Sequence, residues 1–185
     1  MTTPTADVSV RAAWAQDSAA IAEVQVRSWQ QTFADILPSE ILTTLPADQF
    51  EVAWQQSIAR PRDARQRVLV ALERATVRGF AATAPATDSD SDPVKDAEIA
   101  EFVIDPAYRG AGHGSRLLHA AVDTMRSDRF ERATMWLHAT DDFVRGFLTK
   151  QGWAPDGAHR ELDLHGDGTV LAKQVRVHTD LRPED

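Results

Sequence analysis

The sequence predicts a mixed α/β (α+β) domain, and three observations carry that reading. Apolar alternation and helical periodicity interleave in the order β-α-α-α-β-β-β-α-β-α-β-β, which points to a sheet flanked by helices rather than a bundle or a sandwich. The chain has 185 residues, a length that suits one domain spanning 1–185. Hydrophobic residues make up 43% and charged residues 26%, an ordinary balance for a globular core that needs no staples.

Each element has its own signal. Val8 to Ala12 alternates and forms a short first strand. Asp17 stands at an N-cap position ahead of Ile21, Val24 and Trp29, whose spacing gives a helix from Ser18 to Gln31. Pro38 and Pro46 bracket a second helix, which Ser39 is placed to cap, and Ala47 to Ile58 reads as a third. Arg67–Leu72 and Val77–Ala84 form a hairpin. The acidic stretch 86–97 reads as a solvated, flexible loop; it lacks the glycine and terminal Glu of a calcium loop, so no metal is expected. Ala97–Ile104 is a strand ended by Asp105-Pro106. Ser115 to Arg129 is a helix with Leu117, Leu118, Ala121, Val122 and Met125 on one stripe. A strand Ala133–His138, a helix Asp141–Gln151 stopped by Gly152, and two further strands, the last Val170–His178, complete the chain.

Composition narrows the function. There is no cysteine, so disulfides, thiolate metal sites and a cysteine nucleophile are excluded. The formal net charge is −8, which argues against a nucleic-acid surface and is compatible with a cationic acceptor such as an amine. No apolar run approaches the ~20 residues of a membrane span, and Met1 to Val10 has no signal-peptide pattern. A cytoplasmic address without membrane contact is therefore expected, with a homodimer left open.

The segment Ile104-Asp105-Pro106-Ala107-Tyr108-Arg109-Gly110-Ala111-Gly112-His113-Gly114-Ser115 carries chemistry. A strand runs into a glycine-rich turn and the turn into a helix. Glycine permits positive φ and close approach of a ligand to bare N–H groups. The helix start adds unpaired N–H groups and a partial positive charge. Together they make a phosphate cradle, with Arg109 and Arg116 as added charge. The dinucleotide fingerprint and the Walker loop both fail on spacing, because Ser115 stands where either requires glycine.

What the run does match is R/Q-x-x-G-x-G, filled by Arg109, Gly112 and Gly114. With this stretch, and with Met135-Trp136-Leu137, Phe147 and Gly152-Trp153 downstream, the chain resembles the GNAT superfamily of acetyl-CoA-dependent N-acetyltransferases over nearly its whole length. The resemblance implies a mostly antiparallel central sheet of six to seven strands, flanked by helices, with a wedge between its two central strands. It implies acetyl-CoA as co-substrate. The pantetheine arm would pair with the backbone of Phe102, Val103 and Ile104, and the pyrophosphate would rest on N–H groups of Arg109, Gly110, Ala111, Gly112, His113, Gly114 and Ser115. Asp141 stands where many members place an Asn near the pantetheine. Glu98 matches the glutamate base of the histone acetyltransferase branch. Leu148 stands where the family usually has a tyrosine that protonates the departing sulfur.

Glu101 on the same strand and His138 at the end of the next are the other candidate bases. Strict alternation puts Glu98 and Glu101 on opposite faces, and a bulge would shift that parity. Tyr108 and His113 flank the loop and are expected to stack on the cofactor or face solvent. Trp29, Gln30, Phe33, Trp54 and Trp136 are core aromatics and neighbours that could line an acceptor pocket. The function that follows is direct transfer of an acetyl group to a primary amine of a small molecule or protein; a non-catalytic acyl-CoA-binding or sensing module is the alternative.

Overall fold

The computed structural model describes residues 7–164 and 166–183. Its strands are β1 (Val8–Ala12), β2 (Arg67–Glu73), β3 (Thr76–Pro85), β4 (Asp96–Ile104), β5 (Arg132–His138), β6 (Ala154–Asp163) and β7 (Leu171–Asp180). Its helices are α1 (Ser18–Thr32), α2 (Ser39–Thr43), α3 (Ala47–Ala59), α4 (His113–Ser127) and α5 (Asp142–Lys150). The seven strands form one sheet in the order β1-β2-β3-β4-β5-β7-β6. The β1–β2, β2–β3, β5–β7 and β6–β7 ladders are antiparallel, and β4–β5 is parallel from Asp96↔Arg132 to Ile99↔Met135. The mixed, mostly antiparallel sheet expected from the sequence is present.

The chain divides into two compact units, one of residues up to Thr83 with Glu101–Thr124, the other of Ala84–Ala100 with Met125 onward. In the first unit, Ile21 and Val24 of α1 pack on Val68, Val70 and Leu72 of β2, Val77 and Phe80 of β3 and Val103 of β4, with Trp54 and Ile58 of α3 beside them. Each such large side chain contributes roughly 1.5–3 kcal/mol through burial. Gly79 on β3 is required by this packing: a Cβ there would lie 2.6 Å from Ile104 Cδ1 and 2.7 Å from the Val103 carbonyl oxygen. In the second unit, Ala97, Ile99, Ala133, Met135, Leu137 and Val177 are buried, as are Leu148 of α5 and Trp153 after it.

Four local expectations change. Asp17 holds the expected N-cap position of α1, but its carboxylate makes no cap bond to the helix; it accepts the Trp14 N–H at 2.7 Å and pairs with Arg11 at 2.7 and 3.0 Å, closing a 3-10 turn ahead of the helix. Pro38, not Ser39, is the N-cap of α2. α4 begins at His113, two residues before Ser115, because only Gly110 and Gly112 take positive φ (81° and 83°) and Gly114 is already helical. The segment 86–97 is held rather than free: Asp96 and Ala97 belong to β4, and the Arg176 guanidinium donates to Asp88 at 3.0 Å and to Asp90 at 2.8 and 2.5 Å. Among the described residues no helix is long and apolar enough to cross a membrane.

Candidate functional site

The loop before α4 is built entirely within the first unit. β4 ends at Ile104, and the buried Asp105 fixes the turn that follows. Its carboxylate accepts the Ala107 N–H at 3.1 Å, its own N–H donates to the Arg78 carbonyl at 2.8 Å, and Arg27 of α1 donates to it through Nε (3.1 Å) and Nη2 (2.8 Å). Arg109 is exposed and extended. Gly110 and Gly112 then reverse the backbone, and a Cβ on Gly112 would stand 3.0 Å from Arg116 Nη1. The left-handed turns leave backbone N–H groups uncovered at the positive end of a 15-residue helix.

The two side chains flanking this loop differ from expectation. His113 does not face solvent; it is 2% exposed, its Nε2 has no hydrogen-bond partner, and burial holds its pKa below the ordinary value. Tyr108 stacks on the guanidinium of Arg78, 3.6 Å from the ring centroid, and Arg78 pairs with Glu73 at 3.0 Å. The acceptor-pocket aromatics of this unit are also engaged with one another. Trp29 meets Phe33 and Phe50 edge-on at 5.7 and 5.2 Å, Trp54 donates to Gln25 at 2.7 Å and packs on Phe80 at 5.0 Å, and Gln30 donates to the Leu42 carbonyl at 3.1 Å.

The candidate bases are distributed over both units. Glu101, in the first, is half-buried, and burial pushes its carboxyl up to about 7. Glu98, in the second, is raised by burial first and by the neighbouring Asp88 carboxylate; Arg160 and the Thr87 N–H oppose that shift. His138 is held below its ordinary value by burial, against the pull of Asp141, so its imidazole is neutral and able to accept a proton near pH 7. Burial along β4 alternates through Ala97 and Ile99 and returns at Val103, with Ala100 exposed and Glu101 and Phe102 half-buried.

The second unit carries a polar sheet face. Register places Glu98, Thr134 and His178 in one row, Trp136 and Arg176 in the next, and His138, Gln174 and Arg160 in a third. Trp136 donates from Nε1 to Asp88 at 3.0 Å. Arg176 is 4% exposed and binds three carboxylates, Asp88, Asp90 and Asp156. Asp90 is lowered to about 2 by this guanidinium. Burial pushes Asp156 up, but the Ala158 N–H, Arg176 and Arg132 together hold it low. Sequence reasoning missed Arg176 and its acidic partners; the alternating acids at Asp88, Asp90 and Asp92 were visible, but their partner lies 86–88 residues away.

Asp141 and Leu148 stand where the resemblance implies an Asn and a tyrosine. Asp141 caps the helix, accepting the Val144 N–H at 3.0 Å. Leu148 is fully buried, and its carbonyl accepts the Trp153 N–H at 3.0 Å. Among the described residues no group of three His, Asp or Glu side chains could hold a metal.

Comparison with known proteins gives a consistent result. The acetyltransferase (GNAT) family matches residues 26–153. The uncharacterized N-acetyltransferase YuaI of Bacillus subtilis (strain 168) is 26% identical over 130 residues, covering 70% of this chain and 71% of that protein. The yncA structure from Salmonella typhimurium with its cofactor acetyl-CoA aligns with a TM-score of 0.70 at 19% identity, covering 96% of each chain. PaiA N-acetyltransferase from Thermoplasma acidophilum in complex with coenzyme A gives 0.69 at 19% identity, covering 90% of this chain and 97% of that one. The ribosomal-protein-alanine N-acetyltransferase from Brucella melitensis gives 0.71 at 19% identity, covering 93% and 99%. At these identities the structural likeness is one of fold.

Proposed function

The chain belongs to the GNAT acetyltransferase family and is an acyl-CoA-dependent acetyltransferase; from that premise we propose that it moves an acetyl group from acetyl-CoA directly onto a primary amine of a small molecule or peptide, as one cytoplasmic acetyltransferase domain. The observation that carries this reading is the loop itself: two glycines at positive φ, Gly110 and Gly112, deliver the chain into the N-terminus of α4.

In this reading N–H groups from Arg109 to Ser115 hold the pyrophosphate, with Arg116 adding charge. The backbone of Phe102, Val103 and Ile104 pairs with the pantetheine arm. Asp141 makes no amide contact of the Asn type, since its carboxylate is spent on capping α5. Glu98 accepts the proton that the amine loses as its nitrogen bonds to the thioester carbonyl carbon. Glu101 and His138 are the other groups able to do so. The C–S bond breaks, and the sulfur leaves as a thiolate without a protein acid, because Leu148 has no proton to give and a thiol pKa is low enough to allow it. No acyl-enzyme forms on a thiol, since the chain has no cysteine.

The test pairs two measurements. Acetyl-CoA at ~100 times its dissociation constant should raise unfolding free energy by about 2.7 kcal/mol, read as a shift in the thermal melt. Free thiol should then appear when an amine panel is added. An unchanged melt at millimolar acetyl-CoA would remove the cofactor assignment; a shift without turnover on any amine would leave a binding or sensing module.

A further inference from the structure

The polar face of the second unit holds one cation that the acidic residues do not claim. Arg132 and Arg176 are both committed to Asp156, at 2.7 Å each. Arg160 of β6 is exposed and has no ion pair among the described residues. Its Nε donates to Gln174 Oε1 at 2.8 Å, and its guanidinium carbon lies 4.2 Å from the centroid of Trp136. A guanidinium fixed at Nε and stacked on an indole keeps its two terminal nitrogens aimed outward as a fork, the geometry that matches a carboxylate.

The setting of this fork narrows what it would bind. Trp136 lies between the row of Glu98 and the row of Arg160, and its Nε1–H is turned to Asp88, the carboxylate next to Glu98. The charges of Glu98 and Arg160 act on each other, yet the two form no ion pair within 4.0 Å. The face therefore offers a carboxylate suited to an ammonium and a guanidinium suited to an anion, separated by the row of Trp136 and Arg176. If Arg160 served only to brace the sheet, the acids already present would be its natural partners. Instead it is oriented by a neutral amide, Gln174, which itself is only 8% exposed.

We propose that Arg160, laid over Trp136 and oriented by Gln174, anchors a carboxylate on the acceptor, so that the preferred substrate is a small amine that also carries a carboxylate. This rests on the acetyltransfer reading above and sharpens it to a substrate class. The amine end lies toward Glu98 and the carboxylate end on Arg160, whose guanidinium Trp136 holds in place.

Matched acceptor pairs test it: free amino acids, α and β, against their amides, with thiol release as the readout. Wild type should prefer the carboxylate member by ~10-fold or more in kcat/KM, equivalent to ~1.4 kcal/mol. Arg160→Gln should remove that preference through KM for the acid. It should leave the amides and the KM for acetyl-CoA within about twofold, a selectivity that lost bracing would not produce. Arg160→Lys, which keeps the charge but loses the fork, should recover only part of it. Amides used as well as acids, or a variant that weakens both equally, would overturn the proposal. So would a wild type that binds acetyl-CoA, by melt shift, and acetylates amines without carboxylates while ignoring the acids. No melt shift with acetyl-CoA at all would instead strike the underlying acetyltransfer reading, and the anchor with it.

Discussion

The loop ahead of α4 and the polar face of β5, β7 and β6 are built by different means. The loop is made by backbone: two left-handed glycines, a buried Asp105 that fixes the turn, and the start of a helix. The face is made by side chains from distant segments, with Arg176 joining Asp88, Asp90 and Asp156 and with Trp136 held by Asp88 and covered by Arg160. The first needs particular residue types at short, fixed spacing. The second needs only that complementary charges meet after folding. A ligand site made of main-chain N–H groups is therefore sensitive mainly at its glycines, whereas a site made of paired side chains is altered wherever one partner is lost.

The largest effect should come from breaking the face. Arg176→Ala leaves Asp88 and Asp90 without a cation, and leaves Asp156, with its side chain only 10% exposed, with Arg132 alone. Removing one partner of a buried ion cluster costs about 3–5 kcal/mol, read in urea unfolding. The melt shift with acetyl-CoA, measured where the variant is folded, should survive, because the loop shares no residue with the cluster. Loss of both together would show that the two regions are coupled.

Next in size is the converse substitution. Gly112→Asp places a carboxylate where a phosphate should sit, beside Arg116. The stabilisation by saturating acetyl-CoA, ~2.7 kcal/mol at a hundredfold excess over the dissociation constant, should disappear. The ligand-free melt should move little: aspartate enters left-handed conformations more readily than most residues, and its carboxylate can pair with the nearby guanidinium. An unaltered ligand shift would place the phosphates elsewhere.

This contrast also explains what was legible in the sequence. The strand, turn and helix around Arg109–Ser115 could be read because spacing alone specifies them, and the apolar runs of β2 and β3 were visible because both strands are largely buried. The misread details were those decided by tertiary partners. The Asp17 carboxylate, at the N-cap position, was drawn to Arg11 instead of the helix N–H groups, His113 was buried instead of facing outward, and the acidic stretch after β3 was tied down by Arg176. None of these partners is near in sequence except Arg11, and no periodicity marks them.

Leu148 tests the boundary between the two kinds of site at a smaller scale. It is fully buried, so Leu148→Tyr should overpack α5 and cost about 1–3 kcal/mol in unfolding free energy. Turnover should not rise, since the departing thiolate needs no protein acid in this reading. A higher kcat at unchanged acetyl-CoA affinity would show that the missing phenol had been limiting.

The smallest expected effect decides which region owns the base. Glu101 belongs to the unit that carries the loop and Glu98 to the unit that carries the face. Burial raises the Glu101 carboxyl from 4.5 to about 7, so the folded protein binds its proton more tightly than the unfolded chain does. Its contribution is most favourable below pH 4.5 and is lost as pH rises through 7, because the ionised form is then held in a poorly solvated place. Glu101→Gln, uncharged at every pH, should match wild type at pH 4.5 and exceed it at pH 8. The gain should be on the order of 1 kcal/mol, since the half-buried carboxylate keeps part of its solvation. Activity separates the two carboxylates further. With Glu98 as base, Glu98→Gln should abolish the rising limb of the kcat/KM profile, while Glu101→Gln should keep that limb and gain stability at alkaline pH. A limb lost in Glu101→Gln and kept in Glu98→Gln would move the base onto the loop's own unit and leave the face to bind the acceptor alone.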